Sequence, residues 1–328
     1  MAVWVGCGDE KEVLLSGNTM GTTYHVTLAA GSPRNTAALG KKIDARLDEI
    51  SQSMSTYIKG SEISRFNAIG NTREKFYISD DFFYVMIVAR KLYDLTEGTW
   101  DGSIDPLINL WGFGRSEMKT RVPSENEILT ILANTGFDHV EISPEKKYLK
   151  KKKASLSLDL ASVAKGYGVD QVAKLIRESG CKNFLVEIGG EIYASGLRMD
   201  GNPWRIGINT PLKKAARNDV YKLVLLRDKA FATSGDYRIF FESGGSRYSH
   251  ILDPTTGYPV SNGVVSASVV ADNCTFADGL ATALVVMGHE KGLELLNSLQ
   301  GIEGLIIVRD GNGKLRDYNS EGFDAQTR

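Results

Sequence analysis

The chain has 328 residues, 42% hydrophobic and 24% charged, with 39 Lys plus Arg against 40 Asp plus Glu. That is enough apolar matter to fill a core, and the near-neutral balance makes the chain a poor candidate for bulk nucleic-acid binding or for cationic adhesion to a membrane. Three cysteines (Cys7, Cys181 and Cys274) with no C-x-x-C pair exclude a zinc site or a disulfide scaffold.

Residues 1 to 8 read MAVWVGCG, followed by the polar stretch DEKE. Val3 to Cys7 look like the tail of a lipoprotein signal, where lipid joins the cysteine after cleavage. No basic segment precedes them, and the run is too short for a signal or a membrane span. Either the numbering begins inside a longer precursor, with residues 1–11 a signal remnant or flexible terminus, or Cys7 is incidental. The longest other apolar stretches, around Leu280 to Met287 and Leu185 to Ile188, are core-sized.

Leu14 to Leu28 reads as strand, a turn over Gly17 to Gly21, then strand. Thr36 to Ser53 is an amphipathic helix with Leu39, Ile43, Leu47 and Ile50 on one face. Ser61 caps a short helix to Asn67. Asp80 to Glu97 is a long helix. Ser124 to Asn134 is another, opened by a capping box of Ser124 and Glu127. The block KKYLKKKK (146–153) marks a solvated hairpin. Ser162 to Ser179 is a helix.

From Asn183 strands dominate: 183–188, 191–196, 204–209, 220–226, 229–233, 237–241, 247–252 and 264–271. Turn chemistry at Gly189-Gly190, Ser234 to Asp236, Ser243 to Gly245 and Asp253 to Gly257 connects them. Helices at 275–287 and 289–298 follow, then a strand pair near 303–308 and 314–318. Helices and strands are segregated, which favours an α+β class with antiparallel sheets over a doubly wound fold. No linker interrupts 12–328, which reads as one compact unit.

Four places carry chemistry-bearing residues. In TFADGLATALVVMG, Asp278 and Thr282 are four apart and share a helix face. A carboxylate and a hydroxyl there suit Mg²⁺, which keeps waters and carries phosphate-bearing substrates. A structural reading stands beside it: Asp in a first turn complements the helix dipole, and Thr bonds the carbonyl four back. In SLDLASVAKGYGVD, a strand with Leu156, Leu158 and Leu160 runs into a helix N-terminus suited to an anion. Asp159 precedes that turn and Lys165 lies one turn in. The alternative is an ordinary junction capped by Ser162.

In residues 231–260, Tyr248 and His250 alternate onto one sheet face. His250 alone of the four histidines lies between two glycine-rich turns, where it serves either as a general base or as a polar sheet residue. Met20, Tyr57, Trp100, Trp111 and Phe113 form a looser group, able to stack a flat ring or to fill core.

Together with these pieces, several strings resemble the ApbE family of bacterial flavin transferases. They are SGNTMGTTYHV (16–26), MSTYIKGSEISRFN (54–67), GTWDGSIDPLINLWGFG (98–114), LDLASVAKGYGVD (158–170), VEIGGEIYASG (186–196), ATSGDY (232–237), YSHILDPTTGYPV (248–260) and ADGLATALVVMG (277–288). The resemblance spans nearly the whole chain in the family's order.

It implies a T-fold-like α+β protein that binds FAD and Mg²⁺, transfers the FMN half of FAD onto a threonine hydroxyl of an acceptor protein, and releases AMP. The acceptors it implies are subunits of the Na⁺-pumping NADH:quinone reductase and of the Rnf complex. By the family pattern, Met20, Tyr57, Thr99, Trp100, Asp101, Asp159, Lys165 and Leu252 would line the FAD site. Asp278 and Thr282 would bind Mg²⁺ with the backbone carbonyl of Ser162, and His250 would sit at the reacting diphosphate. Ala281 and Lys165 depart from members that carry acidic residues there. The lipoprotein-like start agrees with the outer face of the inner membrane, on its periplasmic side. The competing expectations are an FAD pyrophosphatase giving FMN and AMP, and a non-enzymatic periplasmic flavin-binding protein.

Overall fold

The computed structural model describes residues 12–29, 35–115, 121–212, 219–236 and 239–326. Cys7 and the expected signal remnant lie outside them. The first part of the chain runs β1 (Val13–Thr19), β2 (Thr22–Leu28), α1 (Thr36–Met54), α2 (Glu62–Asn67), β3 (Phe76–Tyr77), α3 (Asp80–Leu95), α4 (Asp105–Leu110) and α5 (Glu125–Leu132). The middle holds β4 (Val140–Ser143), β5 (Tyr148–Lys151), α6 (Ala161–Glu178), β6 (Phe184–Ile188), β7 (Glu191–Ser195), β8 (Trp204–Asn209) and β9 (Val220–Leu226). The rest is β10 (Lys229–Ser234), β11 (Phe240–Ser243), β12 (Ser246–Ser249), β13 (Val264–Ala271), α7 (Cys274–Met287), α8 (His289–Ser298), β14 (Glu303–Arg309) and β15 (Leu315–Asn319).

Eight strands form one sheet in the order β1-β2-β6-β7-β10-β13-β14-β15, antiparallel throughout. Side chains alternate faces along a strand, and over the central strands both faces are covered. Helices α6 and α7 pack on one face, so Val186, Ile188, Ala232 and Val269 are buried there. The hairpin β8–β9 covers the other, where Trp204, Ile206 and Val224 meet Ile192, Phe231 and Leu305. Strand β13 lies between these layers and is buried at every residue. The architecture is the expected α+β arrangement of helices packed on antiparallel sheets.

Helix starts are where local sequence predicts them. Ser61 and Ser79 accept from the amides of Ser64 and Phe82, and Ser124 and Glu127 make both bonds of a capping box. Four expectations are corrected. The turn in the first hairpin is not spread over 17–21. The ladder continues through Gly17 to Thr19↔Thr22, and only Met20 and Gly21 turn, both at positive φ as a two-residue hairpin turn requires.

Residues 156–160 run without strand pairing. Their main chain is held instead by Asn67, whose side chain bonds both the amide and the carbonyl of Leu158. The helix after them begins at Ala161, and Ser162 does not cap it. Finally, the Lys-rich hairpin is not solvated throughout: Lys151 is 2% exposed, and its ammonium donates to the carbonyls of Asn67 and Ile69. Burial pushes its pKa down to about 8.

Candidate active site

The site is built where α6 crosses α7. Gly166 makes the crossing possible: a Cβ there would stand 2.3 Å from the carbonyl oxygen of Cys274. Asp170, one turn on, accepts from the amides of Cys274 and Thr275 and from the Thr275 hydroxyl, at 2.5–2.9 Å. A carboxylate from α6 thus occupies the positive end of α7. This fixes the rotation of α7, so Asp278 and Thr282 face the cleft together.

Asp278 is the fifth residue of α7 and lies beyond its first turn, so it does not serve as a dipole partner. Its Oδ2 accepts from the Gly166 amide at 2.9 Å. Among the described residues, the polar contact of Oδ1 is the Lys165 ammonium at 3.8 Å. Thr282 Oγ1 shares a 2.8 Å hydrogen bond with Ser234 Oγ and lies 3.4 Å from the Asp278 carbonyl. The shared helix face and the back-bond are therefore both present.

Lys165 lies closer to a second carboxylate, Glu191 Oε1, at 2.5 Å. The Glu191 side chain is 3% exposed, and its Oε2 is buried with no hydrogen-bond partner among the described residues. Burial pushes the Asp278 carboxyl up to about 6 and the Glu191 carboxyl up to about 8, with Lys165 pulling both back. Burial works against the Lys165 charge, but Asp278 and Glu191 outweigh it and hold the ammonium above its usual range. When both acids are ionised, two carboxylates around one ammonium leave a net negative charge that a further cation would neutralise.

His250 follows β12 rather than lying within it. Its amide and its Nδ1 both reach the Ile239 carbonyl, at 3.1 and 3.2 Å. A carbonyl only accepts, so Nδ1 carries the proton and Nε2 is the basic nitrogen. Burial lowers its pKa, the Ile239 carbonyl opposes this, and the Lys165 charge adds to the lowering. The imidazole is thereby kept neutral. Tyr248 stands apart from it, stacked on Phe241 at 5.2 Å and against Trp111 at 5.4 Å.

These groups line one cleft of about 550 Å³, within the roughly 300–1,000 Å³ of small-molecule sites. Asp278, Thr282, Lys165, Ser162 and His250 are on its wall. So are Tyr57, Asp101, Asp159 and Leu252. Tyr57 is 71% exposed at the rim. Asp101 is committed to Ser103 and to the Phe137 amide, and Asp159 accepts from the Ala161 amide.

Three expected residues stand back from the wall. Met20 packs at the hairpin tip against both large clusters of core side chains. Thr99 bonds the Thr96 carbonyl. Trp100 is 2% exposed and donates through Nε1 to Ser162 Oγ at 3.0 Å. Of the aromatic group, Phe113 lines the cleft, whereas Trp111 is buried behind it and bonds the Gly257 carbonyl.

Glu191 and Arg115 are among the wall residues that escaped the sequence reading. Glu191 had a signal: an acid directly after paired glycines, opening a strand that is otherwise apolar or small. Arg115 had none. It reaches the cleft by pairing with buried Asp105, itself bonded by Ser157, and by donating to the Thr56 carbonyl.

Hard oxygens, an ammonium and a neutral imidazole around one cleft belong to an enzyme that handles an anionic group, here on an α+β scaffold of helices packed over antiparallel sheet. Comparison with known proteins narrows that class. The ApbE family profile matches residues 20–306. A curated relative from Vibrio cholerae, "FAD:protein FMN transferase", is 44% identical over 97% of this chain and 94% of its own. The solved "Flavin Transferase ApbE from Vibrio cholerae" superposes with a TM-score of 0.88 at 42% identity, covering 97% of this chain and 99% of that one. The apo flavinyl transferase ApbE of Pseudomonas stutzeri gives 0.86 at 37% identity, covering 97% of both. The chain belongs to the ApbE family and is an enzyme of the transferase class.

Proposed function

We propose that this protein transfers the FMN moiety of FAD onto a threonine hydroxyl of an acceptor protein, with AMP as the other product and Mg²⁺ required. The observation that carries the reading is the convergence of Asp278, Thr282, Lys165 and His250 on one cleft in a chain 44% identical to a relative of that name.

The donors fit a hard cation. Asp278 Oδ1 faces the cleft with no hydrogen bond of its own among the described residues, Thr282 Oγ1 lies one turn along, and the carboxylates outnumber the ammonium. Asp278 and Thr282, with the main chain at Ser162, would hold Mg²⁺. A Mg²⁺ bound there would neutralise charge on the diphosphate and on the departing AMP.

The chain's own groups supply the rest. Lys165 places a fixed positive charge beside the phosphates. The first turn of α6 presents Ala161 and Ser162 to the cleft with the positive end of the helix. The threonine hydroxyl attacks the flavin-side phosphorus in line with the bridging oxygen, so one O–P bond forms as the P–O bond to AMP breaks. The hydroxyl proton passes to His250 Nε2, the nitrogen left basic by the Ile239 contact.

The acceptors we assign are subunits of the Na⁺-pumping NADH:quinone reductase and of Rnf. The location we assign is the periplasmic side of the inner membrane, with Cys7 as a lipid anchor. The resemblance of residues 1 to 8 to a lipoprotein signal end supports that location. No helix among the described residues is long and apolar enough to cross a membrane.

The test is AMP release, followed by chromatography, from FAD and Mg²⁺ with and without a threonine-bearing acceptor fragment. Release that depends on the acceptor supports transfer. Equal release without acceptor, with free FMN, makes the protein an FAD pyrophosphatase. Tight FAD binding with no AMP in either arm makes it a carrier.

A further inference from the structure

A side chain outside the set drawn from sequence stands next to the proposed cation site. Glu191 opens β7 directly after the turn Gly189-Gly190, where Ile188 pairs with Glu191 in a two-residue hairpin. That register pins its backbone to the sheet while its side chain reaches the cleft. The Lys165 ammonium is shared unequally, 2.5 Å from Glu191 Oε1 and 3.8 Å from Asp278 Oδ1. The inequality matters, because a lysine ammonium seated directly on Asp278 would occupy the space that a cation needs and would satisfy its charge.

We infer that Glu191 is a positioning residue that draws the Lys165 ammonium off Asp278 and so leaves Asp278 Oδ1 available to a divalent cation. The inference rests on the proposed metal role of Asp278, and goes beyond it by assigning a task to a residue that touches neither the metal nor the reacting atoms. The second carboxylate oxygen of Glu191, buried without a hydrogen-bond partner among the described residues, fits a group placed for its charge on Lys165 rather than for a saturated hydrogen-bond network.

Two modes of action for Glu191 are distinguishable. If its charge merely adds to a negative field, its removal weakens cation binding whether or not Lys165 is present. If it acts by placing Lys165, its removal matters only while Lys165 is there. A double-mutant cycle separates the two.

The experiment is Mn²⁺ binding to the full chain without FAD or acceptor, read from the loss of the free-ion EPR signal, with Mg²⁺ as competitor. Glu191→Gln is expected to weaken Mn²⁺ binding by about tenfold. Lys165→Met is expected to bind at least as tightly as the unmodified chain, and the double variant to match Lys165→Met. Glu191→Asp keeps the charge but withdraws it from Lys165, and is expected to show an intermediate loss. It decides the matter alone if a Lys165 variant fails to fold by circular dichroism. Unchanged binding in Glu191→Gln overturns the inference. So does an equal loss in the Lys165→Met background, or wild-type binding by Glu191→Asp. An unmodified chain that binds no Mn²⁺ strikes the metal site itself, an outcome distinct from all three.

Discussion

The amide of Gly166 donates to Asp278 Oδ2 at 2.9 Å, joining the two helices that carry the site through a backbone group that no side-chain substitution removes. The same residue lets α6 and α7 touch, since a Cβ at 166 meets Cys274 backbone at 2.3 Å. Gly166→Ala is therefore predicted to cost roughly 1–3 kcal/mol, the usual range for overpacking a tight contact. The loss of transfer rate should exceed the loss of stability, because the parting of the helices displaces Asp278. Urea melts and turnover measured on one preparation check this. An unchanged rate with lowered stability would detach the crossing from catalysis.

Asp278 tests the metal assignment. Asp278→Ala should reduce Mg²⁺-dependent turnover by roughly 10²-fold or more, as expected where a metal supplies several kcal/mol of transition-state stabilisation. Lys165 and Glu191 remain paired in that variant, so the fold should survive. Normal flavinylation by the variant refutes the metal assignment.

His250→Ala should slow transfer by roughly 10²–10⁴-fold, the range for a lost general base, and leave FAD affinity nearly unchanged. Burial lowers the imidazole pKa, so the base stays deprotonated to lower pH than an ordinary histidine. The acid limb of kcat/KM should then lie below about 6.5, the ordinary histidine value, and should disappear in the alanine variant. A limb displaced above that value contradicts the neutral, buried base.

Asp170 tests how α7 is seated. It supplies three hydrogen bonds to the start of α7 and touches no cleft group. Asp170→Ala should destabilise the protein by about 2 kcal/mol, combining a lost cap with unsatisfied buried amides. Thermal unfolding by calorimetry measures it, and no change in melting temperature would mean that α7 is seated by packing alone.

The buried carboxyls make the metal-free protein sensitive to pH. Both Asp278 and Glu191 are raised, to about 6 and about 8, so the folded state binds protons that the unfolded state has released. Stability from this source is complete below the unfolded carboxylate values near 4 and is lost as pH rises through 6 and then 8. In the presence of a chelator, the melting temperature should fall between pH 5 and pH 8, and fall less in Glu191→Gln. A melting temperature that rises across this range reverses the sign and rules out the explanation.

Much of the fold is legible because it rests on local signals. The Ser caps of α2 and α5, the apolar stripe of α1 and the Gly189-Gly190 hairpin each depend on a few neighbouring residues. What escaped depends on partners distant in sequence. Residues 156–160 look like a strand by alternation, yet the main chain of Leu158 bonds Asn67, some ninety positions away, and the Asp159 amide bonds the Gly102 carbonyl. Lys151 looks solvated within a lysine run, yet it donates to the carbonyls of Asn67 and Ile69 at the end of α2, more than eighty positions earlier. Asp278, Thr282 and His250 stood out as polar residues in apolar or glycine-rich settings. Glu191 also follows paired glycines, but its meaning comes from Lys165, which the fold brings to it from another element.

The central claim is transfer of a flavin phosphate to an alcohol, and the mass of the acceptor tests it most directly. After incubation with FAD and Mg²⁺, a threonine-bearing acceptor fragment should gain one FMN, with AMP formed in equal amount. A fragment whose threonine is replaced by alanine should gain nothing. An acceptor of unaltered mass in a mixture where FAD has been converted to FMN and AMP would contradict the account.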